Sequence, residues 1–348
     1  MRNPSRRWTG ALVASCWTVC LGACNQAGPD TGVSAASAAA DVPSPQFTLT
    51  DAQTHNRWSR TIAPAARVPS GAIVEVHLKE ASDGQFTPES DVSAVAALKF
   101  DPIHPLTGPV FVEGAQPGDV LEVTILEIDP GDWGWAAVIP GFGFLASEFP
   151  DAHYRSFRID ADGTAQFNER IRLPIQAFAG VMGVAPATDS MLSTIPPRSN
   201  GGNMDNRHLV QGVTVYFPVQ VEGALFSVGD PHLAQGDGEV SGTAIEGPLR
   251  MVYRVEVLKN ARSIQEPQYE TDEYYAVTGF GSTVDEAAKK ATRFMIEYLV
   301  AEHGLSRADA YVLCSLAGDL KISETVDVPH MLVSMHMPKR ILGTARAN

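Results

Sequence analysis

Cysteine is scarce in this chain of 348 residues, which contains four. Three of them, Cys16, Cys20 and Cys24, lie near the N-terminus, and Cys314 is the only one in the remainder of the chain. This distribution excludes an intramolecular disulfide in the folded part and a Cys-x-x-Cys pair for zinc or redox chemistry. Cys314 follows the apolar run Tyr-Val-Leu at 311–313, which favours a buried packing thiol over a nucleophile.

Positive charge is also in short supply. The chain has 40 acidic residues against 26 lysines and arginines, which gives a net charge of -14. Nucleic-acid phosphates require a basic surface, so we exclude a nucleic-acid partner. With 44% hydrophobic and 19% charged residues, the chain can bury a core and does not have the composition of a disordered protein.

The sequence lacks the common catalytic motifs as well. It contains no Gly-x-Ser-x-Gly elbow, no His-Glu-x-x-His pair and no P-loop glycine pattern. The Gly-Phe-Gly at 141–143 has no third glycine at the spacing of a dinucleotide fingerprint. Serine-elbow hydrolases, His-Glu-x-x-His metalloproteases and P-loop enzymes are therefore excluded.

What is present begins with a segment that resembles a bacterial lipoprotein signal. Three arginines precede an apolar stretch at 11–20 that is too short to span a bilayer. The Leu-Gly-Ala-Cys at 21–24 resembles a lipobox, which implies cleavage before Cys24 and acylation of its thiol. We therefore predict a signal peptide over 1–23 and an exported protein, anchored through lipid on Cys24 at the periplasmic side of the cell envelope. An ordinary secretory peptide cleaved after Ala23 is the alternative.

The rest of the chain divides by its pattern of apolar residues. Residues 24–46 are rich in Ala, Ser, Pro and Gly, which indicates a flexible tether. Strict alternation of apolar and polar residues, as at 74–78, 121–125 and 253–257, predicts half-buried strands over 47–260, separated by frequent Gly and Pro turns. We predict a mainly β catalytic domain, sandwich- or barrel-like, in this region.

The C-terminal part, 261–348, has a different character. Thr283 and Glu286 form a capping-box pattern that predicts the start of a helix. An apolar stripe at helical spacing follows, and Gly304 is suited to close the helix in the left-handed conformation. A second helix and a final strand are predicted after it. We expect this smaller α+β part to pack on the same domain.

The segment 229–246, GDPHLAQGDGEVSGTAIE, concentrates the residues with the most chemical potential. It contains His232 and four acids, namely Asp230, Asp237, Glu239 and Glu246. Four negative charges this close in sequence repel one another unless a cation or hydrogen bonds compensate them. A histidine together with Asp and Glu is a credible ligand set for a divalent metal ion, zinc first among them.

Four stretches together resemble the acetamidase/formamidase family: HPLTGPV at 104–110, GGNMD at 201–205, the 229–246 segment and AYVLCSLAGDLKIS at 310–323. The resemblance extends from about residue 55 to 342. It implies a mostly β fold with a small α+β part, hydrolysis of amides with release of ammonia, a metal ion in some members, and homo-oligomers.

The resemblance also assigns roles to matched positions. The implied metal ligands are Asp205, His232 and Glu246, with His104 as the next candidate. Asp237 or Glu239 would orient a ligand or act as the general base.

Asn203, with the backbone amides of Gly201 and Gly202, would stabilise an oxyanion.

The resulting hypothesis is metal-assisted hydrolysis of the C–N bond in small linear amides such as formamide or acetamide, giving a carboxylate and ammonia. A divalent ion, expected to be zinc, would activate water, and a carboxylic acid would protonate the departing amine. Two alternatives remain open: an amidase that acts on larger amides, and a lipoprotein that binds a metal or a small amide without turning it over.

Overall fold

The computed structural model describes residues 42–343. The predicted signal peptide, Cys24 and positions 24–41 of the predicted tether lie outside the described residues. Within the part that is described, no helix combines the length and the apolar character needed to cross a membrane.

Strands form most of the described chain. In chain order they are β1 (Phe47–Leu49), β2 (Thr54–His55), β3 (Arg57–Trp58), β4 (Ala66–Val68), β5 (Ile73–Leu78), β6 (Leu106–Val112), β7 (Val120–Pro130), β8 (Trp133–Val138), β9 (His153–Arg158), β10 (Thr164–Gln166), β11 (Arg172–Pro174), β12 (Phe178–Gly183), β13 (Leu192–Ser193), β14 (Gly201–Asn203), β15 (Thr214–Pro218), β16 (Phe226–Ala234), β17 (Ile245–Glu246), β18 (Leu249–Leu258), β19 (Gln268–Glu270), β20 (Tyr274–Gly281), β21 (Asp319–Glu324) and β22 (Met331–Pro338). The helices are α1 (Val92–Ala97), α2 (Val284–His303) and α3 (Arg307–Ala317), and a 3₁₀ turn, Lys339–Ile341, follows the last strand.

The first sheet has nine strands in the order β1-β5-β18-β7-β15-β19-β20-β22-β21. The three segments with strict alternation lie in β5, β7 and β18, which are neighbours near one end of this sheet. The last strands of the chain, β20 to β22, continue the same sheet at its other end. The predicted boundary between residues 260 and 261 falls in the connection between β18 and β19.

The second sheet also has nine strands, with a main path β14-β12-β16-β17-β8-β9 and three further strands, β2, β4 and β6, attached through β6. Strand β16 is buried along nearly its whole length. It pairs with β12 on one side and, over different parts of its length, with β6 and β17 on the other.

The main core lies between the two sheets. Apolar side chains of the first sheet, such as Val123 and Tyr253, share one buried cluster with Met182 and Phe226 of the second. Because each sheet buries one face against the other, the arrangement is a β-sandwich.

Helices α2 and α3 cover the other face of the first sheet. Phe294, Met295 and Leu299 of α2 pack with Met335 of β22 in a second core cluster that also contains Cys314. Helix α2 starts where the capping pattern places it, because Thr283 Oγ1 accepts a hydrogen bond from the Glu286 amide (3.2 Å).

The same helix ends at Gly304, which adopts a φ of 65°. The predicted fold class, mainly β with a smaller C-terminal α+β part, is confirmed.

Candidate metal centre

Five buried polar side chains converge in the second sheet: Asp205, Asp230, His232, Glu239 and Glu246. Strand β16 carries Asp230 and His232 two positions apart, and β17 places Glu246 directly opposite His232. Asp205 follows β14, which lies on the far side of β12, and Glu239 comes from the loop after β16. The sheet thus gathers groups that are up to 41 positions apart in sequence.

His232 stands at the middle of this cluster. Its Nε2 lies 3.1 Å from Glu246 Oε2, 3.3 Å from Asp230 Oδ2 and 3.7 Å from Asp205 Oδ1. His232 belongs to two groups of three ligand atoms, and within each group the atoms lie within 4.8 Å of one another. One group adds the two aspartates, and the other adds Glu239 and Glu246. Nitrogen and carboxylate oxygens this close are able to enclose one divalent cation.

Three carboxylate oxygens at the centre have no hydrogen-bond donor among the described residues: Asp205 Oδ1, Asp230 Oδ1 and Glu246 Oε2. Buried carboxylate oxygens are costly when they lack a donor or a cation. The other oxygen of Glu246 accepts a hydrogen bond from the Ala244 amide (2.8 Å), which aims Oε2 at His232. The open oxygens therefore fit a metal ion.

Gln235 fixes the orientation of the His232 ring. His232 Nδ1 donates to Gln235 Oε1 (2.7 Å), and Gln235 Nε2 donates to the backbone carbonyl of Asp205 (2.6 Å). Because one proton is held on Nδ1, Nε2 is the ring nitrogen that would ligate a metal ion. Gln235 lies in the segment singled out from the sequence, but its positioning role emerges only from this geometry.

Gly180 of β12 leaves the space that the cluster occupies. A β-carbon at this position would lie 2.4 Å from Asp205 Oδ1, 2.9 Å from His232 Cε1 and 3.0 Å from Asp230 Oδ2. Any larger residue would therefore push two carboxylates and the imidazole out of position. The site consists of a glycine facing a ring of polar atoms, and this glycine belongs to none of the sequence motifs.

Burial and mutual repulsion govern the protonation of the cluster. Burial, reinforced by the negative charge of Asp205, raises the pKa of Glu239 well above its usual range. Burial likewise raises the pKa of Glu246, although His232 opposes the shift.

The histidine responds in the opposite direction. Burial alone would lower the pKa of His232, but Glu246 and Asp230 outweigh it and raise that pKa well above 6.5. Without an ion, the surrounding carboxylates therefore favour the protonated, positively charged form of His232 at the centre of the cluster.

Two further acids, Glu324 and Asp327, lie behind Asp205 and were not predicted from the sequence. Both are buried. Asp327 lies within hydrogen-bonding reach of Asp205, and burial together with the charge of Asp205 raises the pKa of Asp327 well above its usual range. Burial raises the pKa of Glu324 to about 8. Glu324 is the last residue of β21 and Asp327 lies in the connection to β22, more than 100 positions after Asp205, and no local pattern links them to the motifs.

Asn203 and Asp237 have side-chain partners that do not match their assigned roles, and His104 lies at the edge of the cluster. Asn203 donates its amide nitrogen to Asp327 Oδ2 (2.5 Å), so this donor is already engaged and does not face an oxyanion. Asp237 lies outside the cluster, where its Oδ1 is 3.2 Å from His208 Nε2 and its side chain is 38% exposed. His104 stands at the margin, with Nε2 3.9 Å from Asp230 Oδ1.

A small cavity of about 50 Å³ opens onto the cluster. Asp230, His232, Glu239, Glu246 and Asp327 line its polar side. Its other side is apolar and is formed by Leu98, Phe100, Ile103, Ile139, Phe142 and Ile195. A single water needs roughly 10–15 Å³ of such space, so the cavity has room for a molecule of a few heavy atoms.

The fold and the site together define a class of protein: a β-sandwich with a buried histidine–carboxylate centre, suited to a divalent cation, beside a small half-apolar cavity. The model of the "Acetamidase/Formamidase family" matches residues 43–193 and 187–344. The chain belongs to this family, and its predicted assignment is confirmed.

Known proteins show the same relationship. The chain is 32% identical to an acetamidase of Mycolicibacterium smegmatis over 54% of its own length and 61% of that protein, so the match spans less than two thirds of this relative. It is 29% identical to a formamidase of Methylophilus methylotrophus over 84% of the chain and 90% of the relative. The crystal structure of an acetamidase from Bacillus halodurans superposes with a TM-score of 0.80, at 32% identity, over 85% of this chain and all of that one. The prediction of an amidase that acts on C–N bonds outside peptides is confirmed by these matches.

Proposed function

We propose that this protein hydrolyses short linear amides to a carboxylate and ammonia, at a divalent metal ion held by Asp205, Asp230, His232 and Glu246. The observation that carries the proposal is the set of open buried oxygens around His232 Nε2 beside a cavity of about 50 Å³. Membership of a family whose relatives are named acetamidase and formamidase supports the same reaction. Zinc suits the mixture of nitrogen and oxygen ligands.

A divalent ion, when bound, supplies a Lewis acid that polarises a carbonyl and makes water a better nucleophile near neutral pH. The protein's own residues hold and orient the reactants. Gln235 keeps the proton of His232 on Nδ1, and the two sides of the cavity fix the substrate's direction. The amide group would face the carboxylates, and its acyl group would lie against the apolar side, which includes Ile103 and Ile195.

Glu239 is placed to move protons during the reaction. Its carboxylate lies within 4.8 Å of the ligand atoms of His232 and Glu246, and it lines the cavity. Unlike Asp230, His232 and Glu246, it reaches the site from a loop. A cation bound nearby would favour the ionised form of Glu239, which could accept a proton from the attacking water and deliver it to the departing nitrogen, since that nitrogen is too basic to leave as NH₂⁻.

The size of the cavity favours short acyl groups over large ones. Propionamide and longer amides would have to displace the apolar wall, in which Phe100 and Phe142 contact each other edge-to-face (6.4 Å between ring centres). Turnover is therefore expected to be highest for acetamide-sized substrates and to fall as the acyl chain lengthens.

The deciding experiment follows ammonia release from formamide, acetamide and butyramide. Turnover is measured with the protein as isolated, after removal of metal by a chelator, and after zinc is added back. We expect turnover of the two short amides to be lost on chelation and restored by zinc. Unchanged turnover in protein shown to be metal-free would remove the ion from the reaction. Calorimetric zinc binding with no product from any amide would identify a binding protein instead.

We also propose that the chain is exported and is anchored to the cell envelope by lipid on Cys24. The basic, apolar and lipobox-like order of the first 24 residues supports this location. About twenty residues would lie between the lipid and the first strand.

A further inference from the structure

The small cavity beside the metal centre has a larger neighbour that the proposed reaction does not use. This second cavity has a volume of about 420 Å³ and opens to solvent. Its walls are almost entirely apolar and come mainly from the connection between β8 and β9 and from the residues just after Glu239. Phe144, Phe149 and Val240 of this lining are 58%, 55% and 60% exposed. Exposed apolar side chains gathered around a cavity indicate a place that can bind an apolar group.

Phe142 stands between the two cavities. Among the described residues it alone lines both of them. In the small cavity it belongs to the apolar side, where its ring contacts Phe100 edge-to-face. The loop after β16 is divided between the cavities in the same way, because Glu239 lines the small cavity and Val240 lines the large one. The ring of Phe142 is therefore in the position of a partition.

Close packing holds Phe142 in this position. Its amide donates to Ile139 O (2.9 Å), which closes a turn at the end of β8. Its ring lies against Gly242, where a β-carbon would come within 2.4 Å of the ring's Cδ1 and 2.6 Å of its Cε1. The Gly242 amide in turn donates to Glu239 O (2.8 Å). The turn that presents Glu239 to the small cavity thus also supports the ring, which fixes the ring relative to the reacting groups.

We infer that Phe142 determines the length of the amide substrate, because it closes the small cavity against the large one. The inference rests on the proposed hydrolysis of amides at the metal centre. A short acyl group is contained in the small cavity, whereas a longer straight chain meets the ring of Phe142. Without that ring the two cavities would join, and the large cavity would receive the tail of a straight-chain fatty amide. One side chain thus restricts to short amides a framework that has an apolar space for longer ones.

Substrate profiles over chain length test this role. Ammonia release from acetamide, butyramide and hexanamide is compared for the wild type, Phe142→Leu and Phe142→Ala. Each methylene moved from water into an apolar cavity strengthens binding roughly fourfold. We therefore expect the kcat/KM of hexanamide relative to acetamide to rise on the order of 100-fold in Phe142→Ala, and by less in Phe142→Leu. An unchanged ratio in the variants, with acetamide still hydrolysed by the wild type, would overturn the inference. Phe142→Leu alone decides the question if Phe142→Ala does not fold.

A double variant tests whether the large cavity receives the chain. Ala146 lines the large cavity and not the small one, and a phenylalanine there would fill part of that space. Adding Ala146→Phe to Phe142→Ala should return the ratio of hexanamide to acetamide toward the wild-type value. A loop merely loosened by Phe142→Ala would leave the double variant as active on hexanamide as the single variant, and that result would overturn the inference.

Phe144→Ala is the matched control. It removes an exposed ring two positions from Phe142 that lines only the large cavity. Its substrate profile should be that of the wild type, since the partition remains in place. A profile as broad as that of Phe142→Ala would place the partition elsewhere and overturn the inference.

Failure of the proposed reaction is distinguishable from failure of this inference. If the wild type with zinc releases ammonia from no amide, the proposed reaction fails, and the partition is then tested by binding. Calorimetry with acetamide and hexanamide compares the wild type with Phe142→Ala and Phe142→Leu. The affinity for hexanamide relative to acetamide should rise on the order of 100-fold in Phe142→Ala. Equal relative affinities in all three proteins would overturn the inference.

Discussion

Four polar residues of the metal centre and its margin lie on backbone that residues with side chains rarely adopt. His104, Asp205, Asp230 and Glu239 have φ values of 53°, 38°, 54° and 44°. Each such residue costs on the order of 1–3 kcal/mol unless the surrounding structure compensates for it. Here the left-handed backbone turns these side chains toward one point. The conformational free-energy cost arises at the site, and the packing of the surrounding sheets offsets it.

Replacing one acid by its isosteric amide tests whether that acid belongs to the metal centre. Asp205→Asn removes a negative ligand and leaves the volume unchanged. We expect zinc occupancy and ammonia release to fall by at least about 100-fold, because even the groups that orient ligands contribute about 10–100-fold. Occupancy is measured by elemental analysis and turnover by ammonia release.

Asp237→Asn is the matched control, since Asp237 pairs with His208 away from the cluster. Its zinc content should equal that of the wild type. Loss of zinc in both variants would show that Asp237 reaches the ion, and the separation seen in the structure would then not hold in solution.

His55 makes the protein sensitive to acid. Its Nδ1 donates to Arg57 O (2.8 Å), so Nε2 has no proton and accepts from Ser227 Oγ (2.8 Å). Burial lowers the pKa of His55 to about 4. The unfolded chain takes up this proton near pH 6.5 and the folded chain only near pH 4, so the free energy of unfolding decreases as pH falls through that window. The loss is roughly 3 kcal/mol in total, at about 1.4 kcal/mol per pH unit.

Urea unfolding at several pH values tests this role. His55→Gln preserves one donor and one acceptor and should flatten the decline in stability between pH 6.5 and 4. His153→Gln, at an exposed position of β9, should keep the wild-type slope. Parallel slopes for all three proteins would mean that His55 does not contribute.

At the scale of elements, the strands were the easiest part to predict. The alternating segments at 74–78, 121–125 and 253–257 all lie in strands of the first sheet, because a sheet with one buried face imposes a period of two. Helix α2 was equally accessible, since its cap and its closing glycine are local signals. Strand β16 carries the site but is buried on both faces, so it shows no such alternation.

The site was predictable only in part, for a related reason. The repulsion among acids in 229–246 indicated a cation, and the motifs indicated Asp205, but sequence spacing does not show which acids face inward. Asp237 and Glu239 are two positions apart, yet only Glu239 enters the cavity. Gly180, Glu324 and Asp327 join the site through pairing between distant segments, and no local pattern records such contacts.

Strand β12 offers a direct test of how closely the elements pack at the site. Gly180→Ala adds one methyl group where the structure has 2.4 Å to Asp205 Oδ1. We expect turnover to fall on the order of 100-fold, as for other displacements of about 1 Å at a catalytic centre. The melting temperature should also fall, because overpacking a buried position costs about 1–3 kcal/mol, although alanine is acceptable to this backbone.

Gly236→Ala provides the comparison, since a β-carbon at Gly236 meets nothing within 4 Å. It should retain zinc and turnover. If Gly180→Ala also retained zinc and turnover, the ion would not bind in the space next to Gly180 of β12.

At the scale of the whole molecule, the anchor and the enzyme should be separable. Cys24→Ser removes the acylated thiol and leaves the described domain unchanged. We expect the variant protein to move from the membrane fraction to the soluble fraction of cells, with the same turnover per zinc ion. Fractionation and metabolic labelling with palmitate check this outcome. An unlabelled wild type that is already soluble would contradict the proposed anchor.

The position of the last strand has a consequence for how the protein is made. Strand β22 lies inside the first sheet, between β20 and β21. The segment just before it supplies Asp327, which lies against Asp205. The centre is therefore complete only after nearly the entire chain has been synthesised. A nascent chain holds Asp205, His232 and Glu246 without that support, so the proposed metal ion would bind stably only after the finished chain has folded.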